Sequence, residues 1–104
     1  MGSLDSRERA FEAHFAFQEE LAFSTATYRN RLLGLWAGER MGLTGGVLEA
    51  YAKSVVQQSL SPREALDPVA RVSRDLLAKG VPADPAEMNA KMRDCSEAAS
   101  MRAA

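Results

Sequence analysis

Apolar residues return along this chain at the three- and four-residue spacing of helices, and no stretch alternates with the period of two that marks a strand. The pattern is densest from Tyr28 to Ala37. There Leu32, Leu35 and Trp36, the only tryptophan, take i, i+3 and i+4 positions on one side of a helix. Arg29, Arg31 and Arg40 keep the other side in water, with their aliphatic stems along apolar neighbours.

The boundaries follow from caps and breakers. Asp5 with Glu8 forms a capping box, no proline interrupts before Met41, and Gly42 is the stop. This predicts one long first helix, or two joined by a bend, with Ser24 to Thr27 its weakest helix-forming part. A second helix follows Thr44, weakened in its first turn by Gly45 and Gly46, with Val47, Leu48, Tyr51, Val55 and Val56 on one side. Ser61-Pro62-Arg63-Glu64 gives a third start, and Asp67-Pro68 repeats the signal, so residues 62 to 66 form a turn before the helix proper. Val69, Val72, Leu76 and Leu77 are the buried side of that helix, and Gly80 ends it. Asp84-Pro85-Ala86-Glu87 opens the fourth, whose stripe is Met88, Met92, Cys95 and Ala99. The expected fold is all-α: an antiparallel four-helix bundle with a long first helix and a first segment free to move.

The first helix carries two apolar faces. At about 100° per residue, Phe17, Leu21, Tyr28, Leu32 and Leu35 share one direction, while Leu4, Phe11 and Phe15 point roughly 115° away. Three partner helices of about 15 residues each span only about 20 to 25 Å, too little to cover the earlier set as well. Burying one phenylalanine contributes about 1.5 to 3 kcal/mol, so Phe11 and Phe15 need a partner surface. Two arrangements supply one. Either the helix bends near Phe17 and folds its first turns back, or residues 1 to 19 dock as a helix in another protein's groove.

Composition narrows the function classes. The 104 residues suit one domain, and 13 basic against 14 acidic residues, net −1, leave no like-charge block to engage a nucleic acid. No apolar run approaches the roughly 20 residues of a membrane span, and the first residues lack the apolar core of a secretory signal. A single cysteine excludes an internal disulfide and suits a reducing compartment, so a cytoplasmic protein is expected. His14, the only histidine, has no second ligand at a metal-binding spacing. Cys95 lies on an apolar stripe, as a packed thiol rather than a nucleophile. Gly42 to Gly46 lacks the lysine of a phosphate loop and follows a helix, and Glu19 and Glu20 point apart. No catalytic constellation emerges, so a binding protein is expected rather than an enzyme.

Three blocks carry a family resemblance: Asp5-Ser6-Arg7-Glu8-Arg9-Ala10-Phe11-Glu12, then His14-Phe15-Ala16, then Arg29-Asn30-Arg31-Leu32-Leu33-Gly34-Leu35-Trp36-Ala37. Together with Met41-Gly42-Leu43-Thr44-Gly45 and Tyr51-Ala52-Lys53-Ser54-Val55-Val56, they resemble the bacterial zeta subunit, the inhibitor of F-type ATP synthase. The match is close over residues 4 to 60 and looser beyond.

The resemblance implies a four-helix protein of one domain, with an inhibitory segment over residues 1–19 and a bundle over 20–104. In the family that segment wedges as a helix between an alpha and a beta subunit of the catalytic head, beside the rotor stalk. It blocks the rotation that accompanies ATP hydrolysis and obstructs synthesis less. Carried over, the partner-binding residues are Leu4, Arg7, Glu8, Arg9, Phe11, Glu12, His14, Phe15, Gln18 and Glu19, with Phe11 and Phe15 as anchors. Gln18 stands where relatives carry an acid, Ala22 and Ser24 where they carry bases, and Tyr28 where they carry arginine, which removes charge at the junction of segment and bundle. The implied protein is a monomer when free, without cofactor or membrane insertion, cytoplasmic and associated with the membrane-bound synthase. Some relatives are linked to purine nucleotides, so a nucleotide-sensing bundle is one alternative and a generic helical adaptor another.

Overall fold

A computed structural model describes residues 23–61, 63 and 66–103, and among these it forms four helices and no strand. The first, α1, runs over 23–40 without interruption through Ser24 to Thr27. It is followed by α2 (Gly45–Leu60), α3 (Pro68–Ala78) and α4 (Pro85–Ala103). The part of the first helix expected before residue 23, with its capping box, lies outside the described residues.

Two helix ends close by the same device. At the end of α1 the Leu43 N–H donates to the Gly38 carbonyl and the Gly42 N–H to that of Glu39, with Gly42 at φ 85°. At the end of α3 Val81 donates to Leu76 and Gly80 to Leu77, with Gly80 at φ 74°. Both are Schellman closures, in which glycine takes the left-handed conformation that other residues adopt at a cost. The third helix starts where Asp67-Pro68 repeats the signal: α3 begins at Pro68 behind Asp67, while Ser61 is the C-cap of α2, its N–H donating to the Gln58 carbonyl. Proline belongs there because a first-turn N–H has no helical acceptor to lose.

Cross-helix contacts fix the direction of packing. Asn30 meets Ser59, Gly34 meets Ala52 and Gly38 meets Leu48, so α2 runs antiparallel to α1. Tyr28 meets Arg102, Trp36 meets Lys91 and Arg40 meets Glu87, so α4 runs antiparallel to α1 on another side. Tyr51 with Asp75 and Ser54 with Arg71 give the same sense for α2 and α3.

The buried cluster unites Leu33 and Ala37 of α1, Val55 of α2, Val72 and Leu76 of α3, and Met88 and Cys95 of α4. Three expectations need correction. On α1 the deepest positions are Asn30, Leu33, Gly34, Ala37 and Gly38, while Leu32, Leu35 and Trp36 are half-buried beside them. On α2 the buried residues are Ala52 and Val55, whereas Val47, in the first turn of the helix, is exposed. On α3, Leu77 is exposed because it sits about 100° around the helix from its neighbour Leu76, which takes the core position. The α4 stripe matches its expectation, with Met88, Cys95 and Ala99 buried and Met92 half-buried.

Candidate functional site

The ten residues expected to contact a partner, Leu4, Arg7, Glu8, Arg9, Phe11, Glu12, His14, Phe15, Gln18 and Glu19, lie outside the described residues, as does Ala22. The structure instead presents the platform that carries them, and its polar interhelix contacts define what that platform can do.

Asn30 is the one buried polar side chain of the described core. Arg29 Nε donates to its Oδ1 at 3.1 Å, and its Nδ2 donates to Ser59 Oγ at 3.3 Å, which in turn donates to the Val56 carbonyl. A buried amide with its oxygen and nitrogen both engaged fixes the register of two helices, because sliding either one would strand it.

Between α2 and α3 the Asp75 carboxylate collects Tyr51 Oη at 2.8 Å and Arg71 Nε at 2.7 Å. The same guanidinium donates to Gln58 Oε1 at 2.5 Å and to Ser54 Oγ at 3.0 Å, and it lies over the Tyr51 ring. Burial pushes the Asp75 carboxyl up, but the hydrogen bonds from Arg71 and Tyr51 and the charges of Arg71 and Arg74 outweigh it and hold the group below its ordinary range. Burial, then the bond to Asp75 and its charge, push the Tyr51 hydroxyl up, so it remains a donor at every physiological pH.

The sign of the linkage is fixed by the depressed carboxyl. Its contribution is present above the unfolded-state value of about 3.9 and is lost as pH falls through the lower folded-state value. The wild-type melting temperature should therefore drop below about pH 4, and Asp75→Asn should show a shallower drop over the same interval. Acid profiles that run parallel would show that this network contributes no such linkage.

On the α1–α4 side, Trp36 is half-buried, with the Arg40 guanidinium 5.1 Å and the Lys91 ammonium 5.9 Å from its ring centroid. Arg40 also pairs with Glu87. The Arg40 guanidinium thus lies over the indole, so Arg40, one helical turn after Trp36, shares its side of α1 and does not stand on the opposite one. A groove of about 450 Å³ runs beside it, lined by Leu32, Leu35, Trp36, Cys95 and Ala98 with Glu39, Lys91 and Asp94 at its edges. A second, of about 350 Å³ between α1 and α2, is lined by Thr27, Arg31, Glu49, Ala50, Lys53 and Val56, with Arg31 and Glu49 paired at 2.9 Å.

Neither groove assembles reactive groups. Cys95 is buried in the core, and burial pushes its thiol up, opposed by Lys91 and Arg29 and reinforced by Asp94. A thiol held protonated is packing material, not a nucleophile. Among the described residues no group of histidine, cysteine and carboxylate side chains could hold a metal ion, and no helix is long and apolar enough to cross a membrane.

What the sequence pattern did not single out is the end of the bundle at which the described part of α1 starts. Phe23, Leu60 and Met101, one from each of α1, α2 and α4, are all exposed there. The available signal was spacing: Phe23 lies two helical turns before Asn30 on the same seam.

Over residues 1–102 the chain matches the family described as ATPase inhibitor subunit zeta, and it belongs to that family. No curated protein and no solved structure matches it.

Proposed function

We propose that this member of the ATPase inhibitor subunit zeta family blocks ATP hydrolysis by the F-type ATP synthase by inserting residues 1–19 as a helix at a catalytic alpha/beta interface beside the rotor stalk. The single observation that carries the reading is the reach of the family match, residues 1–102, which takes in the aromatic first segment together with the bundle. The offset of Leu4, Phe11 and Phe15 from the face that continues into Tyr28 and Leu32 supports it from the residues themselves.

The mechanism is steric and thermodynamic. A helix lying across a catalytic interface stabilises one closed state and resists the opening that turnover needs. It does so only to the extent that it binds that state better than the others. Phe11 and Phe15 act as the apolar anchors, and Arg7, Glu8, Arg9 and Glu12, with His14, Gln18 and Glu19, set orientation more than affinity. Residues 20–104 are the bundle that holds the segment. The protein is a monomer when free in the cytoplasm, acts once bound at the catalytic head of the synthase, and performs no reaction itself.

Added to purified synthase, the chain should depress ATP hydrolysis, and deleting residues 1–19 should abolish the effect while the bundle still melts cooperatively. Phe11→Ala or Phe15→Ala should weaken inhibition by about 1 to 3 kcal/mol with little change in melting temperature. A large loss of melting temperature with inhibition retained would instead make both rings part of the protein's own core. Chemical-shift changes with ATP that map to the bundle and survive the deletion would favour a nucleotide sensor, and an unaffected synthase would favour an adaptor for another partner.

A further inference from the structure

Packing on α1 follows a constant register. Each step toward its N-terminus moves toward the C-termini of both neighbours, from Gly38 beside Leu48 to Asn30 beside Ser59, and from Arg40 beside Glu87 to Tyr28 beside Arg102. Phe23 lies seven residues before Asn30, on the same seam, so it aims where a partner residue belongs. At that level both neighbours have ended, α2 at Leu60 and α4 at Ala103. The seam of α1 outruns its covering helices, which leaves Phe23 56% exposed, with Leu60 51% and Met101 79% exposed at the same end of the bundle.

We propose that this apolar rim of Phe23, Leu60 and Met101 is a second contact with the same ATPase, seated on an apolar surface at the mouth of the crevice that the first segment enters. The inference rests on the insertion reading above. Three large apolar side chains from three different helices at one end mark a surface that another protein covers, whereas single exposed ones need no such account. The position of the rim in the chain names the occupant. Phe23 follows Glu19 by four residues, which span at most about 14 Å, so wherever the segment docks the rim is held against the surrounding surface. That tether makes the second contact intramolecular, and a contact too weak to form alone then adds to affinity. Val47 and Leu77, exposed near the opposite end, lack this placement.

The test uses the full chain with Phe23→Ser, the Leu60→Ser/Met101→Ser pair, all three together, and Val47→Ser/Leu77→Ser as the control. Each is assayed for inhibition of the purified catalytic head, for melting temperature, and for oligomeric state by native mass spectrometry. The triple variant should inhibit about tenfold or more weakly through faster dissociation, with the melting temperature held and the opposite-end pair within about twofold of wild type. The Leu60/Met101 pair leaves α1 untouched and should show part of the loss.

Phe11→Ala/Phe15→Ala in the same assay separates the two readings. If it weakens inhibition and the rim variants do not, the rim proposal falls and the insertion reading stands. If the rim variants weaken it and this pair does not, the insertion reading falls and the rim is itself the contact. A wild-type chain that neither binds nor inhibits the head overturns both. A dimer that the rim variants dissolve would make a second copy the occupant and overturn the rim proposal.

Discussion

Replacing Gly34 with valine is expected to lower stability by about 3 kcal/mol, the upper end of what overpacking costs, and to lower the melting temperature by roughly 12 to 24 °C. A Cβ at this position would stand 2.9 Å from Ala52 Cα and 3.3 Å from its Cβ. The first of these is backbone, so no rotamer change on α2 can clear it, and the two helices would have to separate. Separation would also loosen Leu33, one position away and fully buried. Gly34→Ala should cost less, because alanine recovers up to about 1 kcal/mol of helix propensity against the same clash. Gly46 supplies the contrast: it is helical, has nothing within 4 Å of an added Cβ and no positive φ, so Gly46→Ala should leave stability unchanged or slightly higher. Urea denaturation of the three variants measures all of this. A Gly34→Val protein as stable as wild type would mean that α1 and α2 do not approach this closely.

That close approach explains which parts of the fold the sequence pattern could and could not deliver. Gly42 and Gly80 were legible as stops because few residues other than glycine take positive φ readily, a property of the residue itself. The α4 stripe was legible because Met88, Cys95 and Ala99 recur at helical spacing with a single answer. On α1 the answer was misweighted. A reading that ranks positions by apolar size favours Leu32, Leu35 and Trp36, yet the deepest contact is made by Gly34, Ala37 and Gly38, whose smallness lets α2 come near. Size ranks what a residue can bury, whereas packing also rewards what it leaves out. Leu77 was misread for a related reason. Two adjacent leucines on a helix cannot both face one core, and the pattern alone does not say which yields.

The residues proposed to bind the partner rest on a different kind of signal. Leu4, Phe11 and Phe15 stood out by their angle to the later face, a comparison within one helix that needs no knowledge of the others. The rim at Phe23, Leu60 and Met101 could not be found that way, because it joins three helices whose relative register only the packed structure provides. The polar network around Asp75 was hidden for the same reason. Tyr51 lies 24 residues from Asp75 in the chain, and their hydrogen bond is a consequence of antiparallel packing.

Leu33→Ala is expected to have the other large effect, about 2 to 5 kcal/mol, through a mechanism opposite to that at Gly34. Leu33 is fully buried in the cluster that joins α1 to Val55, Val72, Leu76, Met88 and Cys95, so removing its branched end opens a cavity where all four helices meet. Gly34 beside Ala52 and Asn30 tied to Ser59 hold α1 against α2, which limits how far the backbone can move to fill the space. The cost should therefore lie toward the upper part of that range. Small domains have about 5 to 15 kcal/mol of stability in all, so this loss would leave a chain whose unfolding shows at moderate temperature. The measurement is again chemical denaturation, paired with an inhibition assay below the variant's melting temperature. If the first segment alone supplies the insertion, folded Leu33→Ala protein should inhibit as wild type does, whereas Phe11→Ala should melt as wild type does and inhibit poorly. A Leu33→Ala protein that stays folded and has lost inhibition would place the inhibitory surface in the bundle rather than in residues 1–19.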